Sequence, residues 1–195
     1  MGKLDNEENF FGDLFINKEY RVKPISIPVH VSKNDQEETT QQQTTLTVDL
    51  LSSPAASTDL ELTGQVLWPV SVLLAHYVAS NRGQDIITKK NIVELGAGCG
   101  LPGICASRWA NAVLMTDGND LVLDLLEKNC TSFADEHADH AIMTVVKMIW
   151  GCRDDLDMML AKMPIVDAVI AADVVQWPSG KLFIVTQFIR SPTFR

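Results

Sequence analysis

The stretch NIVELGAGCGLPGI, residues 91–104, decides the fold of this 195-residue chain. A short apolar run contains the acid Glu94, and glycines then occupy every second position, at Gly96, Gly98 and Gly100. Such a run predicts a buried strand, and a tight turn from it into a helix brings backbone N–H groups toward a ligand. Glycine leaves room for that approach and permits positive φ. The stretch therefore predicts a strand, a ligand-binding loop and a helix.

Four short apolar runs follow the pattern of a parallel sheet. They read NIVEL, AVLMT, MTVVKM and IVDAVIAA, and the predicted helices between them read LPGICASRWA, DLVLDLLEKNCTSF and GCRDDLDMMLAKMP. Another helix is predicted before the first strand, in PVSVLLAHYVASN, which begins with Pro69 and ends in the turn signal NRG. A last helix is predicted in SGKLFIVTQFIR. The fold class is therefore α/β, a Rossmann-like, doubly wound and mainly parallel sheet.

Residues 1–62 have a different pattern and are predicted to form an extension to a domain that spans residues 63–195. Alternation of apolar and polar residues in YRVKPISIPVHV and in TTLTVDL predicts two strands. The polar tract SKNDQEETTQQQ lies between them and has low complexity. We therefore expect a β-hairpin with a long loop.

Composition and charge limit the class of partner. The chain has a formal net charge of -9 and no cluster of Lys and Arg, whereas binding to a nucleic-acid backbone relies on basic side chains. We therefore expect no nucleic-acid partner, and a basic substrate such as a lysine-bearing protein surface suits the charge better. The sequence says nothing about the oligomeric state.

Targeting signals and metal-ligand patterns are not found in the sequence. No run of about 18 apolar residues could span a bilayer, and the first twenty residues are acidic and aromatic, so neither secretion nor membrane anchorage is expected. The four cysteines form no C-x-x-C pair, which favours free thiols in the cytoplasm and is compatible with the nucleus. His137 and His140 lack a third ligand, so no metal site is predicted. The run RDDLD is interpreted as a solvated loop.

The spacing of the glycines separates this loop from a dinucleotide site. The pattern from Glu94 to Gly100 is E-x-G-x-G-x-G, without the third glycine that G-x-G-x-x-G requires, which disfavours a nicotinamide-dependent oxidoreductase. A carboxylate at Glu94 would repel a pyrophosphate but could help to hold, directly or through water, the amino group of a methionine moiety. Asp117 ends the second strand 21 positions after Gly96, near the spacing of an acid that binds ribose hydroxyls. The alternative is that the loop is only a tight turn and that Asp117 only caps the next helix.

Five motifs together resemble a known family. TGQVLWPVSVLLAHYV, VELGAGCGLPGI, TD, IWG and AADVV occur in this order over about residues 63–180. They resemble the seven-β-strand S-adenosylmethionine-dependent methyltransferases and, within these, the methyltransferase-like protein-lysine methyltransferases. The resemblance implies the class I methyltransferase fold, S-adenosyl-L-methionine as cofactor, and an enzyme that methylates lysine side chains of a protein substrate.

The resemblance also implies which residues hold the cofactor. Trp68 in GQVLWP is similar to the tryptophan that borders the cofactor site just before the first helix. Gly96, Ala97 and Gly98 match the loop around the methionine part of the cofactor, beside the Glu94 carboxylate. Asp117 matches the ribose-binding acid. No metal ion is implied.

The motifs after the third and fourth strands complete the implied site. Trp150 in IWG resembles the residue next to the adenine, and Ala172 matches the small residue at the end of strand four. Asp173 opens the family's D-x-x-Y/F motif. The resemblance implies that Asp173 is the catalytic residue, which orients the lysine amine. The alternative is that Asp173 only caps the last helix. The motif departs from the family at Gln176, which stands where Tyr or Phe is usual and is followed by Trp177.

Members of this family have seven strands, whereas the sequence provides runs for four of them. We therefore expect the cofactor half of the domain, without the last strands, and an exposed apolar edge at the fourth strand. Two functional interpretations follow. One is an S-adenosylmethionine-dependent protein-lysine methyltransferase, and the other is a catalytically inactive, shortened methyltransferase-like protein that acts as a binding or partner module.

Overall fold

The computed structural model describes residues 20–30, 43–54 and 60–174. Within these ranges the strands form an antiparallel pair and a separate parallel sheet of four strands in the order β5-β4-β3-β6. The antiparallel pair comprises β1 (Arg21–His30) and β2 (Gln43–Ser52). The parallel sheet comprises β3 (Asn91–Leu95), β4 (Ala112–Asp117), β5 (Ile142–Lys147) and β6 (Ala168–Ala171). The predicted α/β class, the parallel sheet and the hairpin are therefore confirmed.

Helices alternate with the strands of the parallel sheet, as the sequence predicts. A short 3-10 helix (Leu60–Gln65) precedes them. The α-helices are α1 (Pro69–Ala79), α2 (Asn81–Ile87), α3 (Leu101–Ala106), α4 (Asp120–Glu136) and α5 (Arg153–Lys162). None of the helices in the described part of the chain has the length and apolarity that crossing a membrane requires.

The parallel sheet separates two hydrophobic clusters, because successive strand residues point to opposite faces. On one face, Ile92 and Val113 pack with α1, α3 and α4. On the other face, Val93 and Leu114 pack with residues of α5, including Met159. Helices on both faces explain why the strands are almost continuously apolar.

The hairpin packs onto the first of these clusters. Ile27, Val48 and Leu50 are fully buried there together with Ile104 of α3 and Leu126 of α4. The alternation predicted for both strands places these apolar residues on one face. The boundary between an extension and a domain at residue 62 stays a prediction, but the hairpin and the parallel sheet share one core.

Two local predictions are wrong. The signal NRG is not a turn, since Asn81–Ile87 is helical and the Ser80 side chain accepts a hydrogen bond from the Gly83 N–H at 3.2 Å. A serine cap therefore starts a new helix where the first helix ends. The interpretation of the run RDDLD as a loop is also wrong, since this run begins α5, and the helix predicted in GCRDDLDMMLAKMP is confirmed. Arg153 and Asp157 in the run are exposed and form an i,i+4 ion pair.

Strand β6 lies at an edge of the parallel sheet as far as the described residues show. It pairs with β3 from Ala168 to Ala171, and the opposite side of β6 has no paired strand among the described residues. Whether this edge is exposed, as the sequence predicts, stays a prediction. The predicted last helix lies outside the described residues.

Candidate functional site

The candidate site lies at the carboxyl edge of the parallel sheet. Since all four strands run in the same direction, the segments that follow them meet at this edge. The glycine loop after β3, Asp117 at the end of β4, Trp150 after β5 and Asp173 after β6 all lie there. Helix α3 begins directly after the loop.

Asp117 connects the end of β4 to the glycine loop. The Gly98 N–H donates to Oδ2 of Asp117 at 3.1 Å, and the N–H groups of Gly118 and Asn119 donate to Oδ1 at 2.8 and 3.3 Å. Burial raises the pKa of Asp117, and these three hydrogen bonds oppose that rise. Asn119, and not Asp117, is the N-cap of α4, because its side chain accepts from the first N–H groups of that helix. The interpretation of Asp117 as a helix cap is therefore wrong.

Glu94 belongs to β3, and its side chain is buried against the start of α3, with 2% of the residue's surface exposed. Its Oε2 accepts a hydrogen bond from the Gly103 N–H at 3.0 Å. Burial raises the pKa of Glu94 to about 8, against the hydrogen bond from Gly103, and the nearby charge of Asp117 raises it further. At neutral pH this carboxyl group is therefore mostly protonated in the folded chain.

Gly96 is held between the segments that follow β5 and β6. It has φ of 58°, and a Cβ atom there would lie 2.8 Å from Cγ1 of Val174 and 3.4 Å from Cζ2 of Trp150. Both the backbone conformation and the space therefore require glycine. The contact also places the Trp150 ring against the glycine loop, while its role beside the adenine stays a prediction.

Gly98 is covered by the 3-10 helix. It has φ of 55°, and a Cβ atom there would lie 2.9 Å from the carbonyl oxygen of Gly64. The indole N–H of Trp68 donates to the carbonyl of Thr63 at 2.9 Å. Trp68 is thereby fixed to the same short helix that covers the loop, and its contact with a cofactor stays a prediction. Ala97 is buried, and its N–H donates to the Thr116 carbonyl at 2.8 Å.

Ala172 and Asp173 directly follow β6. Ala172 is half-buried, whereas Asp173 is exposed and has φ of 56°, an unusual backbone conformation for a residue other than glycine. Such a conformation is often found at functional sites. Gln176, Trp177 and the alternative that Asp173 caps the last helix lie outside the described residues.

Sequence reasoning missed three residues that support this site. Gly103 has no room for a side chain beside Glu94, Thr116 donates to the Glu94 carbonyl at 2.9 Å, and Asn129 of α4 donates to the Cys99 carbonyl at 2.9 Å. Gly103 could have been found as the fourth glycine of the opening stretch. Thr116 and Asn129 act through contacts with residues distant in sequence, which no local sequence pattern predicts.

The thiols and histidines form no second centre in the described part of the chain. Burial raises the pKa of the Cys99 thiol to about 12, which suits a small structural residue and not a nucleophile. His137 stacks on Phe133 with ring centroids 4.2 Å apart, and His140 meets the same ring edge-on. No group of three or more potential metal ligands occurs within the residues described.

Comparison with known proteins agrees with this geometry. The chain is 34% identical over 112 residues to the protein-lysine methyltransferase METTL21E of Bos taurus, an alignment that covers 57% of this chain and 38% of that protein. It is 31% identical over 110 residues to the histone-arginine methyltransferase METTL23 of Homo sapiens, covering 55% and 53%. It is 33% identical over 121 residues to the protein N-terminal and lysine N-methyltransferase EFM7 of Debaryomyces hansenii, covering 58% and 46%.

The alignments thus span roughly half the length of these curated relatives or less. The family comparison covers more of the chain. The family profile described as lysine methyltransferase matches residues 55–180, which include every predicted site residue and the whole parallel sheet. With the parallel sheet, the glycine loop and Asp117 in the arrangement described above, this match shows that the chain belongs to the lysine methyltransferase family.

Proposed function

We propose that this protein is an S-adenosylmethionine-dependent methyltransferase that modifies lysine side chains of a protein substrate. The observation that carries the proposal is the hydrogen bond from the Gly98 N–H to the Asp117 carboxylate at the carboxyl edge of the sheet. It joins the glycine loop to the acid that ends the next strand, which is where a nucleoside binds in open α/β sheets. Membership of the family supports the same activity.

The residues at this edge fit the cofactor in their chemistry. Oδ2 of Asp117 accepts one hydrogen bond, from Gly98, and a carboxylate oxygen can accept a second, from a ribose hydroxyl. Trp150 adds an aromatic ring against the glycine loop, and Glu94 adds a buried carboxyl group that a nearby cationic methionine end would help to ionise. The Asp117 carboxylate suits a ribose and would repel a pyrophosphate.

The chemistry requires a neutral amine placed in line with a methyl group. Bound S-adenosylmethionine supplies that methyl group on a positively charged sulfur. A lysine with its ordinary pKa of about 10.4 must first lose a proton, at a cost of about 4.6 kcal/mol at pH 7. Asp173 would orient the amine through a hydrogen bond and stabilise its positive charge, and fixing the two reactants about 3–3.5 Å apart supplies most of the acceleration.

Calorimetric titration with S-adenosylhomocysteine tests the cofactor site. We expect the wild-type chain to bind, and Asp117→Ala to weaken binding by about 10-fold or more, because the charge-assisted hydrogen bond from a ribose hydroxyl to Oδ2 is lost. Asp124→Ala is the matched control, since Asp124 is an acid exposed on α4. A folded wild-type chain that does not bind would contradict the proposal and would favour the inactive partner module, which the comparisons do not support.

Arginine is the second candidate acceptor, because one relative is named a histone-arginine methyltransferase. The two acceptors are distinguished by incubating the protein with isotopically labelled cofactor and a cell extract, followed by acid hydrolysis of the labelled proteins. We expect label in methyllysine, with loss of the signal in Asp173→Asn. Label in methylarginine instead would show that arginine is the acceptor, and it would not contradict the proposed cofactor site. We further propose a cytoplasmic location, compatible with the nucleus, which imaging of the tagged protein would test.

A further inference from the structure

Asn129 lies in the middle of α4 and joins three separate parts of the chain. Only 1% of its surface is exposed. Its Nδ2 donates to the carbonyl of Leu51 at 3.0 Å and to the carbonyl of Cys99 at 2.9 Å. Its Oδ1 accepts from the N–H of Leu51 at 2.8 Å. One side chain therefore connects α4 to strand β2 and to the glycine loop.

Both N–H donors of the Asn129 side-chain amide are hydrogen-bonded. A side-chain amide has two N–H donors, and both go to buried or half-buried carbonyls. The N–H and C=O of Leu51 both bond to this one side chain, much as they would to a neighbouring strand. Because a buried polar group without a partner is costly, a residue that cannot donate twice would leave at least one of these carbonyls unsatisfied.

The contact with Cys99 bears directly on the cofactor loop. Cys99 follows Gly98, whose N–H bonds to Asp117, so the β4–α4 unit holds the loop from two sides. Asp117 accepts from a loop N–H, and Asn129 donates to a loop carbonyl one residue further on. A loop rich in glycine has much conformational freedom, and these two bonds restrict it.

We propose that Asn129 is a positioning residue that holds the glycine loop in its cofactor-binding conformation and couples that loop to the N-terminal hairpin. This inference rests on the proposed function, since it assigns a role in binding the same cofactor. Asn129 acts through the backbone of Cys99 and touches no reacting atom. Its loss is therefore expected to weaken cofactor binding and raise KM for the cofactor, with a smaller effect on kcat.

The variant Asn129→Asp tests the proposal with little change in size. It keeps an acceptor for the Leu51 N–H and replaces the amide donor by an oxygen that faces two carbonyls. Phe133→Leu is the matched control, because Phe133 is buried one turn further along α4 and packs against His137 instead of the loop. Both variants should lower stability, but only Asn129→Asp should disturb the loop.

Two readouts are compared well below the melting temperature of each variant. The Kd for S-adenosylhomocysteine should rise by about 10-fold or more in Asn129→Asp, the scale of one lost hydrogen bond, and should stay within about 2-fold of wild type in Phe133→Leu. Amide hydrogen exchange should accelerate together in residues 96–100 and 46–52 of Asn129→Asp, and in neither segment of the control. If Asn129→Asp does not fold, Kd and hydrogen exchange are measured for Asn129→Ser instead.

The outcomes separate this inference from the proposed function. Unchanged affinity and unchanged exchange in a folded Asn129 variant would overturn the positioning role while leaving the cofactor site in place. Equal effects in Phe133→Leu would also overturn it, because the losses would then follow stability alone. If the wild-type chain binds no S-adenosylhomocysteine, the proposed function fails, and with it the role of Asn129 in binding; the exchange data then decide only whether it couples the loop to the hairpin.

Discussion

Glu94 is the residue whose protonation should be visible in the stability of the whole chain. Burial raises its pKa from the ordinary value of 4.5, which unfolding restores, to about 8 in the folded chain. The folded state therefore holds this proton more tightly than the unfolded state does. The contribution of Glu94 to the free energy of unfolding is complete below pH 4.5 and is lost as the pH rises through about 8. Each pKa unit corresponds to about 1.4 kcal/mol, so the loss amounts to a few kcal/mol.

The variant Glu94→Gln isolates this effect. A glutamine carbonyl can still accept from the Gly103 N–H but cannot ionise. We expect urea unfolding of the wild type to show falling stability between about pH 5 and pH 8 and a flatter profile for Glu94→Gln. Glu127→Gln, on the exposed side of α4, should behave as the wild type does. Identical profiles for Glu94→Gln and the wild type would contradict the assignment.

The cysteines provide a second prediction for single residues. Burial raises the pKa values of the thiols of Cys99, Cys105 and Cys130 to about 12, whereas Cys152 is only half-buried. Because the thiolate is the reactive form, iodoacetamide at pH 8 should label Cys152 first in the native chain and all four cysteines after denaturation. Mass spectrometry of the labelled peptides measures this. Early labelling of Cys99 would show that the glycine loop opens in solution.

Individual residues also show what the sequence can predict. The position of Asp117 beside the glycine loop could be predicted, because its spacing from Gly96 reflects the fixed length of one strand–helix–strand unit. Asn129 could not, because its partners Leu51 and Cys99 lie 78 and 30 positions away and are contacted through their backbones. A side chain that bonds to backbone atoms leaves no signature in the identity of its partners.

The 3-10 helix is the element that covers the glycine loop, and Gly64 is where it comes closest. A Cβ atom at Gly64 would lie 2.9 Å from Cγ1 of Val122 and 3.5 Å from Oδ2 of Asp117. We therefore expect Gly64→Ala to displace either the helix or the Asp117 carboxylate and to weaken S-adenosylhomocysteine binding by about 10-fold, measured by calorimetry.

Gly118→Ala is the control for this prediction. Gly118 adjoins Asp117, but a Cβ atom there would meet only ordinary contacts at 3.7 and 3.8 Å, so binding should change by less than about 2-fold. Equal affinity of Gly64→Ala and Gly118→Ala would show that the 3-10 helix shifts without displacing the Asp117 carboxylate. The double variant Gly64→Ala/Val122→Ala should recover part of the lost affinity, because it removes the nearest obstacle.

At the level of elements, the sequence predicts the strands better than the helix ends. Buried parallel strands are recognised by their apolar runs, and NIVEL and AVLMT correspond to β3 and β4 almost residue for residue. Helix boundaries depend on capping bonds instead. At NRG, the side chain of Ser80 starts α2 with one hydrogen bond, which outweighs the turn preference of Asn and Gly.

For the whole molecule, the shared core predicts that the hairpin and the parallel sheet unfold together. All four tryptophans lie after residue 63, so their fluorescence reports on the region outside the hairpin. Leu50 is fully buried in β2, and Leu50→Ala should lower the free energy of unfolding monitored by tryptophan by about 2–5 kcal/mol. Thr47→Ala, exposed on the same strand, should change it by less than about 0.5 kcal/mol. An unchanged tryptophan transition in Leu50→Ala would show that the hairpin unfolds on its own.

The glycine loop has a consequence for the history of such chains. Gly96 is confined by Val174, and Gly98 by Gly64, so folding alone would preserve both glycines through many generations. A descendant that no longer used a cofactor would keep the loop for as long as it kept its fold. Asp173 is exposed, so packing alone restrains its side chain less. If Asp173 has the catalytic role proposed above, a loss of catalysis across related lineages should appear first as substitutions at Asp173, while the glycines are retained.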